Sequence, residues 1–145
     1  MYTGIKHLHS TLAYLVLILL VITVVTALIK YLTNKEFGGL KKLALFSMIF
    51  SHIQLLAGIV IYFLSPLGMQ NSSPNKMSDS FERLYFLEHP LIMIIALVLI
   101  TIGNSKSKKA LGDQQKNKTV LLFFGLGLIL ILSRIPWHVW PTFLG

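Results

Sequence analysis

Four long apolar runs constrain this chain more than any other feature of its sequence. They lie at residues 10–29, 43–64, 86–102 and 120–135. A helix of about 20 residues spans the ~30 Å hydrocarbon core of a bilayer, so each run is close to membrane-spanning length. Only 12% of the residues are charged, against about 25% in an ordinary soluble domain. The sequence therefore predicts an all-α, four-transmembrane-helix antiparallel bundle that forms a single membrane domain, residues 1–145.

The limits of the spans follow from the runs and their flanking residues. We expect spans at about 7–31, 41–64, 80–104 and 119–136. The third span must begin near Ser80, because a helix from Pro90 to residue 102 would rise only about 20 Å. Ser78 or Asp79 can cap this helix. Pro90 then lies inside it, which removes a backbone hydrogen bond and predicts a kink around residues 86–88.

The basic residues predict the orientation of the bundle. Nine of the thirteen fall between spans one and two or between spans three and four: Lys30, Lys35, Lys41, Lys42, Lys106, Lys108, Lys109, Lys116 and Lys118. The positive-inside rule places both lysine-rich loops in the cytoplasm of a bacterial inner membrane, with both termini on the outer, periplasmic side. Topology thus accounts for the net charge of +8. We expect the lipid bilayer as the surroundings and no nucleic-acid partner.

The residues that are missing exclude several kinds of site. The sequence contains no cysteine, which excludes covalent c-type haem attachment, iron–sulfur clusters, thiolate ligands and disulfides. It also contains no P-loop, no Gly-x-Gly-x-x-Gly, no Gly-x-Ser-x-Gly and no His-Glu-x-x-His motif. Nucleotide-binding, serine-hydrolase and HExxH zinc-protease interpretations therefore have no support.

All five histidines lie in or beside the apolar runs: His7, His9, His52, His89 and His138. Ionisable residues are costly inside a membrane and indicate a functional site there. Imidazoles brought together from separate spans can ligate haem iron, bind another metal or relay protons. The histidines are therefore the candidate site residues of this chain.

Depth in the membrane separates these candidates. At 1.5 Å per residue from the cytoplasmic ends, His9 lies about 30 Å up, His138 about 28 Å, His89 about 22 Å and His52 about 15 Å. Axial ligands of one haem need similar depths on facing helices, and helix tilt and a kink can close the difference between His9 and His89. We prefer this pair as ligands of one haem and keep His52 as a reserve ligand. His7 and His138 are expected at the interface.

Each candidate also has a structural interpretation that stays open. His9 can be an interfacial histidine at a helix start, and His89 can bond a backbone carbonyl freed by Pro90. His52 can bond Gln54 or a neighbouring serine in mid-membrane. In each case the imidazole would stabilise the fold and hold no ligand.

Other residues near the outer end can complete the site. Glu88 can serve a haem propionate, a proton or the His89 ring, or it can face the surface. Arg134 can pair with a propionate, which prefers a cation at this rim, or it can extend its charge to the interface. Trp137 and Trp140 follow the fourth span and are predicted to form an interfacial aromatic anchor.

Several short stretches resemble one four-helix half of haem A synthase. They are His9-Ser-Thr-Leu-Ala-Tyr-Leu, Lys41-Lys-Leu-Ala-Leu, Gln54-Leu-Leu-Ala-Gly58, and His89 with Ala96. The chain is also similar to small cytochrome-b-like membrane proteins of Bacteroidetes, which have Glu-His in span three and Lys-x-Lys-Lys after it. The resemblance implies that His9 and His89 are axial ligands of haem b and that the activity is one-electron transfer. Haem A synthase has two such halves and an acid before its first ligand, whereas this chain has one half and no acid from Gly4 to Leu8.

The sequence thus predicts a bis-histidine haem b protein, more an electron carrier or subunit than a stand-alone enzyme, within or beside a respiratory or haem-handling complex. One haem near one surface cannot carry electrons across the bilayer, so a membrane-protein partner or a homo-oligomer is expected. Two alternatives remain. The chain can be a non-haem accessory or scaffold subunit, or a quinone-reactive or proton-relay protein that uses His52, Gln54 and Glu88 without iron.

Overall fold

Every regular element in the residues that the computed structural model describes, 1–71 and 73–141, is helical. The four long helices are α1 (Tyr2–Leu32), α2 (Gly38–Leu64), α3 (Ser80–Lys109) and α4 (Asp113–Ser133). Two short 3-10 turns, Met69–Asn71 and Pro74–Lys76, lie in the connection between α2 and α3. Each long helix is long and apolar enough to cross a membrane. The all-α, four-span prediction is therefore confirmed, and the side that the termini face stays a prediction.

The helices form a closed ring in which each packs against two neighbours. α1 contacts α2, α2 contacts α3, α3 contacts α4, and α4 contacts α1. The connections at 33–37 and 110–112 are short, as expected between antiparallel neighbours. They lie at one end of the bundle, which we call the lysine end. The termini and the 65–79 connection lie at the other, the histidine end, and α1 and α3 face each other diagonally.

The tightly packed core lies in the half of the bundle nearest the lysine end. Its fully buried side chains include Leu20, Leu40, Ile100, Val120 and Phe124. Some polar groups in this half are paired across helices. The hydroxyls of Thr23 and Ser47, for example, join α1 to α2 through a buried hydrogen bond of 2.6 Å, so that neither carries the cost of an unpaired buried hydroxyl.

Burial of the helical side chains stops at one level of the bundle. Towards the histidine end, the last buried helix residues are Val16, Ser51, Ala96 and Leu128. Past that level, every helical residue whose side chain the structure describes is partly or fully exposed. The helical side chains are therefore more exposed in the half nearest the histidine end than in the half nearest the lysine end.

The start of α3 combines a side-chain cap with an interrupted turn. The Asp79 carboxylate accepts hydrogen bonds from the backbone N–H groups of Phe81 and Glu82, at 2.8 and 3.3 Å, so the predicted cap is confirmed. The interruption predicted before Pro90 takes the form of a π-helical turn, Leu84–Glu88. Proline has no N–H to donate to the preceding turn. Single π-helical turns of this kind are often found at functional sites.

The lysines expected in the second loop lie on helices instead. α3 continues to Lys109 and α4 begins at Asp113, so the loop is only residues 110–112. Bilayer thickness limits the length of a span but not of a helix. Lysine is a good helix former, and cations near a helix C-terminus are stabilised by the helix dipole. Gly112, with φ of +82°, makes the tight turn in a region that favours glycine.

Candidate functional site

His9 and His89 come together across the bundle, although they lie 80 residues apart in the sequence. Their ring centres are 6.4 Å apart and their ring planes are inclined by 77°. His9 is in the first part of α1, and His89 directly follows the π-turn of α3. Both side chains are partly buried, and the pair lies in the more exposed half of the bundle. The structure thus brings two imidazoles from diagonally opposed helices into one place.

The ring of His89 is oriented by the end of α4. Its Nδ1 lies 2.7 Å from the backbone oxygen of Arg134, and because a carbonyl only accepts, Nδ1 carries the proton. Arg134 directly follows the last residue of α4, where backbone carbonyls lack partners within the helix. Nε2 of the neutral imidazole keeps its lone pair. This is the arrangement found in metal-bound histidines, whose second nitrogen donates to a carbonyl or carboxylate.

The surroundings of His9 are supplied by α2. The side-chain amide of Gln54 donates to the backbone oxygen of His9 at 2.9 Å, and the same nitrogen lies 3.5 Å from His9 Nε2. One turn further along, Gly58 faces the ring, where a Cβ would lie 3.1 Å from His9 Cε1. α2 therefore holds the backbone of His9 and leaves space for its imidazole. His9 Nδ1 and Gln54 Oε1 are buried and have no hydrogen-bond partner.

Glu88 bridges two arginines beside His89. One carboxylate oxygen lies 2.8 Å from Arg83 Nε and the other lies 3.3 Å from Arg134 Nε. The three side chains together carry one excess positive charge. The Arg134 side chain is 45% exposed, so its guanidinium is accessible to an anion at this rim. Arg134 thus contacts the site twice, through its backbone oxygen at His89 and through its side chain at Glu88.

The other three histidines lie apart from this pair. His52 is exposed, and its Nδ1 donates to the Met48 backbone oxygen at 2.8 Å, so the bond expected to Gln54 or a serine is replaced by one within the same helix turn. His138 lies against Phe81, with ring centres 4.9 Å apart. His7 is exposed. Of the predicted site residues, the structure therefore brings together His9, His89, Glu88 and Arg134, and it leaves His52 on the surface.

One contact at the histidine end was missed from the sequence. Trp140, predicted as part of an interfacial anchor together with Trp137, is 9% exposed and packs on Tyr14 of α1, with ring centres 4.6 Å apart. Its buried Nε1 has no hydrogen-bond partner. The sequence signal for this turn was Pro136, which lies three residues after the last residue of α4 and cannot continue the helix. Trp137 is half exposed, as an interfacial residue would be.

The set of possible metal ligands is small. Within 1–71 and 73–141, no group of three or more histidine, cysteine, aspartate or glutamate side chains is placed to hold a metal ion. A metal site built from protein ligands alone usually needs three or four of them. Two imidazoles can fill two positions of a metal whose other ligands come from elsewhere. Compared with protein-family models, curated proteins and solved structures, the chain gives no match.

Proposed function

We propose that this chain is a membrane-embedded haem b protein with His9 and His89 as the axial ligands, and that it transfers single electrons. The distance between the two rings carries the proposal. With metal–nitrogen bonds of about 2 Å and about 1.1 Å from each nitrogen to its ring centre, imidazoles on opposite faces of one metal have centres about 6 Å apart. The 6.4 Å between His9 and His89 agrees with this value.

The states of the two imidazoles support the same assignment. His89 has its proton on Nδ1, bonded to Arg134, and presents a lone pair on Nε2. His9 is held mainly through its backbone, because the short Gln54 bond goes to the carbonyl oxygen and the ring contact is 3.5 Å, at the limit for a hydrogen bond. Both rings therefore keep a nitrogen available for a metal.

The apolar helices around the pair support a mostly apolar ligand. Fully buried helical side chains end at the level of Val16 and Ala96, and the two histidines lie past that level. Gly58 leaves room beside the His9 ring, where any larger residue would meet the imidazole. At the rim, the excess positive charge of the Arg83–Glu88–Arg134 cluster suits propionate carboxylates.

Haem b, when bound, supplies a one-electron couple. The residues of this chain hold two neutral imidazoles in place, fix the orientation of one through the Arg134 carbonyl and surround the site with apolar helices. If His9 and His89 both held the iron, they would leave no open position there for a substrate or oxygen. Electron transfer therefore fits the site better than catalysis at the iron.

The proposal also includes the orientation of the bundle in the membrane and the partner that exchanges electrons with it. The nine lysines at the lysine end favour a cytoplasmic position for it in a bacterial inner membrane, with the histidine pair near the periplasmic face. A site near one face needs a second carrier to move electrons further. We therefore expect a membrane-protein partner or a second copy of the chain beside the histidine end.

The test is the absorption spectrum of the purified full-length protein, produced in cells supplied with a haem precursor. We expect a Soret band and sharp reduced α and β bands, with haem b identified by the spectrum of its pyridine complex. His9→Ala and His89→Ala should each lose the low-spin spectrum, while His7→Ala and His138→Ala, matched changes outside the pair, should keep it. A colourless wild-type preparation, or low-spin spectra retained in both ligand variants, would overturn the proposal.

A further inference from the structure

A groove on the surface between α2 and α3 is apolar except for two side chains, His52 and Thr101. Its volume is about 330 Å³, and its other lining residues are aliphatic, among them Leu55 and Ile94. This volume is at the lower end of the range for small-molecule sites, about 300–1,000 Å³. The groove lies on the apolar outer surface of the bundle, at the depth of the bilayer. A ligand for it must therefore be one that dissolves in the membrane.

Both polar side chains of the groove already donate a hydrogen bond to a backbone oxygen of their own helix. His52 Nδ1 donates to the Met48 oxygen at 2.8 Å, and Thr101 Oγ1 donates to the Leu97 oxygen at 2.7 Å. Because Nδ1 of His52 carries the proton of that bond, the neutral imidazole presents a lone pair at Nε2. The groove therefore offers acceptors and no donors. A hydroxyl group satisfies it, whereas a carbonyl or an ether does not.

A second groove on the bundle serves for comparison. It lies between α1 and α2, has a similar volume of about 310 Å³ and is lined only by apolar side chains, including Leu12 and Leu56. His52 bonds Met48 through Nδ1, and in lipid its Nε2 would meet no hydrogen-bond donor. A ligand with a hydroxyl group would supply that donor.

We propose that the groove binds the ring of a membrane hydroquinone, whose hydroxyl groups donate to His52 and Thr101. Among membrane-soluble molecules with hydroxyl groups, a hydroquinone is favoured because His52 lies two residues before Gln54, which bonds the backbone of His9. The groove is thus within about one helical turn, along α2, of the proposed haem site. The choice of a redox-active ligand rests on the proposed haem function, whereas the need for a hydroxyl donor rests on the groove alone.

The experiment measures binding of decylubiquinol to the full chain in phosphatidylcholine nanodiscs under argon. Bound ligand is extracted after gel filtration and quantified above the amount carried by empty nanodiscs. The dimethyl ether of decylubiquinol, which has lost both donors, should bind about tenfold more weakly, the effect of about one lost hydrogen bond. His52→Phe should weaken decylubiquinol binding to a similar extent. His7→Phe, the same change at an exposed histidine outside the groove, should leave it unchanged.

Two outcomes would overturn the inference. One is equal binding of the hydroquinone and its dimethyl ether, and the other is unchanged binding to His52→Phe. A shift of His52→Phe to a smaller oligomer, with hydroquinone binding unaffected, would assign the groove to a second copy of the chain. Absorption spectra separate this inference from the proposed function. Hydroquinone binding by a protein that carries no haem would contradict only the proposed function. A haem-containing protein that binds the hydroquinone and its dimethyl ether equally would contradict only the assignment of the groove.

Discussion

The imidazole Nδ1 of His89 donates to the backbone oxygen of Arg134 across 2.7 Å. This bond joins the turn of α3 that follows the π-helical segment to the residue that ends α4. The Arg134 side chain contacts Glu88, the residue before His89, with 3.3 Å from Nε to the carboxylate. The orientation of one proposed ligand therefore depends on where α4 ends.

Enlarging Gly58 should displace His9 from its position. A Cβ at Gly58 would lie 3.1 Å from His9 Cε1, so alanine requires a shift of a few tenths of an ångström and leucine requires the ring to leave. Gly58→Leu should therefore convert much of the bound haem from a low-spin to a high-spin, five-coordinate spectrum, while Gly58→Ala should have a smaller effect.

Gly125 of α4 gives the matched control for that change. A Cβ at Gly125 meets nothing within 4 Å, so Gly125→Ala should leave the spectrum unchanged. It should raise the free energy of unfolding by about 0.5–1 kcal/mol, because alanine suits a helix interior better than glycine. A wild-type spectrum in Gly58→Leu would show that His9 is not a ligand in the position described.

Removing the charge of Arg134 should weaken haem binding without removing the ligands. Arg134→Gln leaves the backbone oxygen that holds His89 but removes a guanidinium beside Glu88. Because this side chain is 45% exposed, solvent screens its charge, and we expect haem affinity to fall about fivefold. Titration of haem into the apoprotein, followed at the Soret band, measures the change.

The control for Arg134 is another cation at the same end of the bundle. Lys76 pairs with Glu82 at 3.7 Å, and Lys76→Gln should leave haem affinity unchanged. Equal losses in the two variants would indicate a general effect of charge at the histidine end. In that case the Arg83–Glu88–Arg134 cluster would have no special part in binding propionates.

The existence of the helices was predictable, whereas the direction of each side chain was less so. Run length gave four spans, and counting residues placed His9 and His89 close enough in depth to meet. Helices that are apolar on nearly all sides carry no amphipathic signal, so the sequence did not show that His52 faces outward. The fold of Trp140 onto Tyr14 depends on a turn after α4 that hydropathy does not describe.

A methyl group at Gly103 should destabilise the lysine half of the bundle. A Cβ there would clash with Phe123 Cβ and lie 3.1 Å from Phe123 Cγ, and a close approach of α3 and α4 depends on the small residue. Gly103→Ala should lower the free energy of unfolding by about 1–3 kcal/mol, the range for overpacking a tight core. Gly125→Ala, the open glycine on the facing helix, again serves as the control. Thermal unfolding in detergent, followed by circular dichroism, gives both values. If Gly103→Ala were as stable as the wild type, α3 and α4 would be further apart than described.

The lysine end and the histidine end should react from opposite sides of the membrane. The sequence has no cysteine, so a single cysteine at Leu111, which is 92% exposed in the loop between α3 and α4, reports the lysine end alone. A single cysteine at Pro74, exposed between α2 and α3, reports the other end. In intact bacterial cells with a permeable outer membrane, a maleimide that cannot cross the inner membrane should label Pro74→Cys and spare Leu111→Cys, because lysine-rich ends stay in the cytoplasm. Both should be labelled after the cells are opened. The reverse pattern in intact cells would place the histidine pair at the cytoplasmic face, and its electron partner with it.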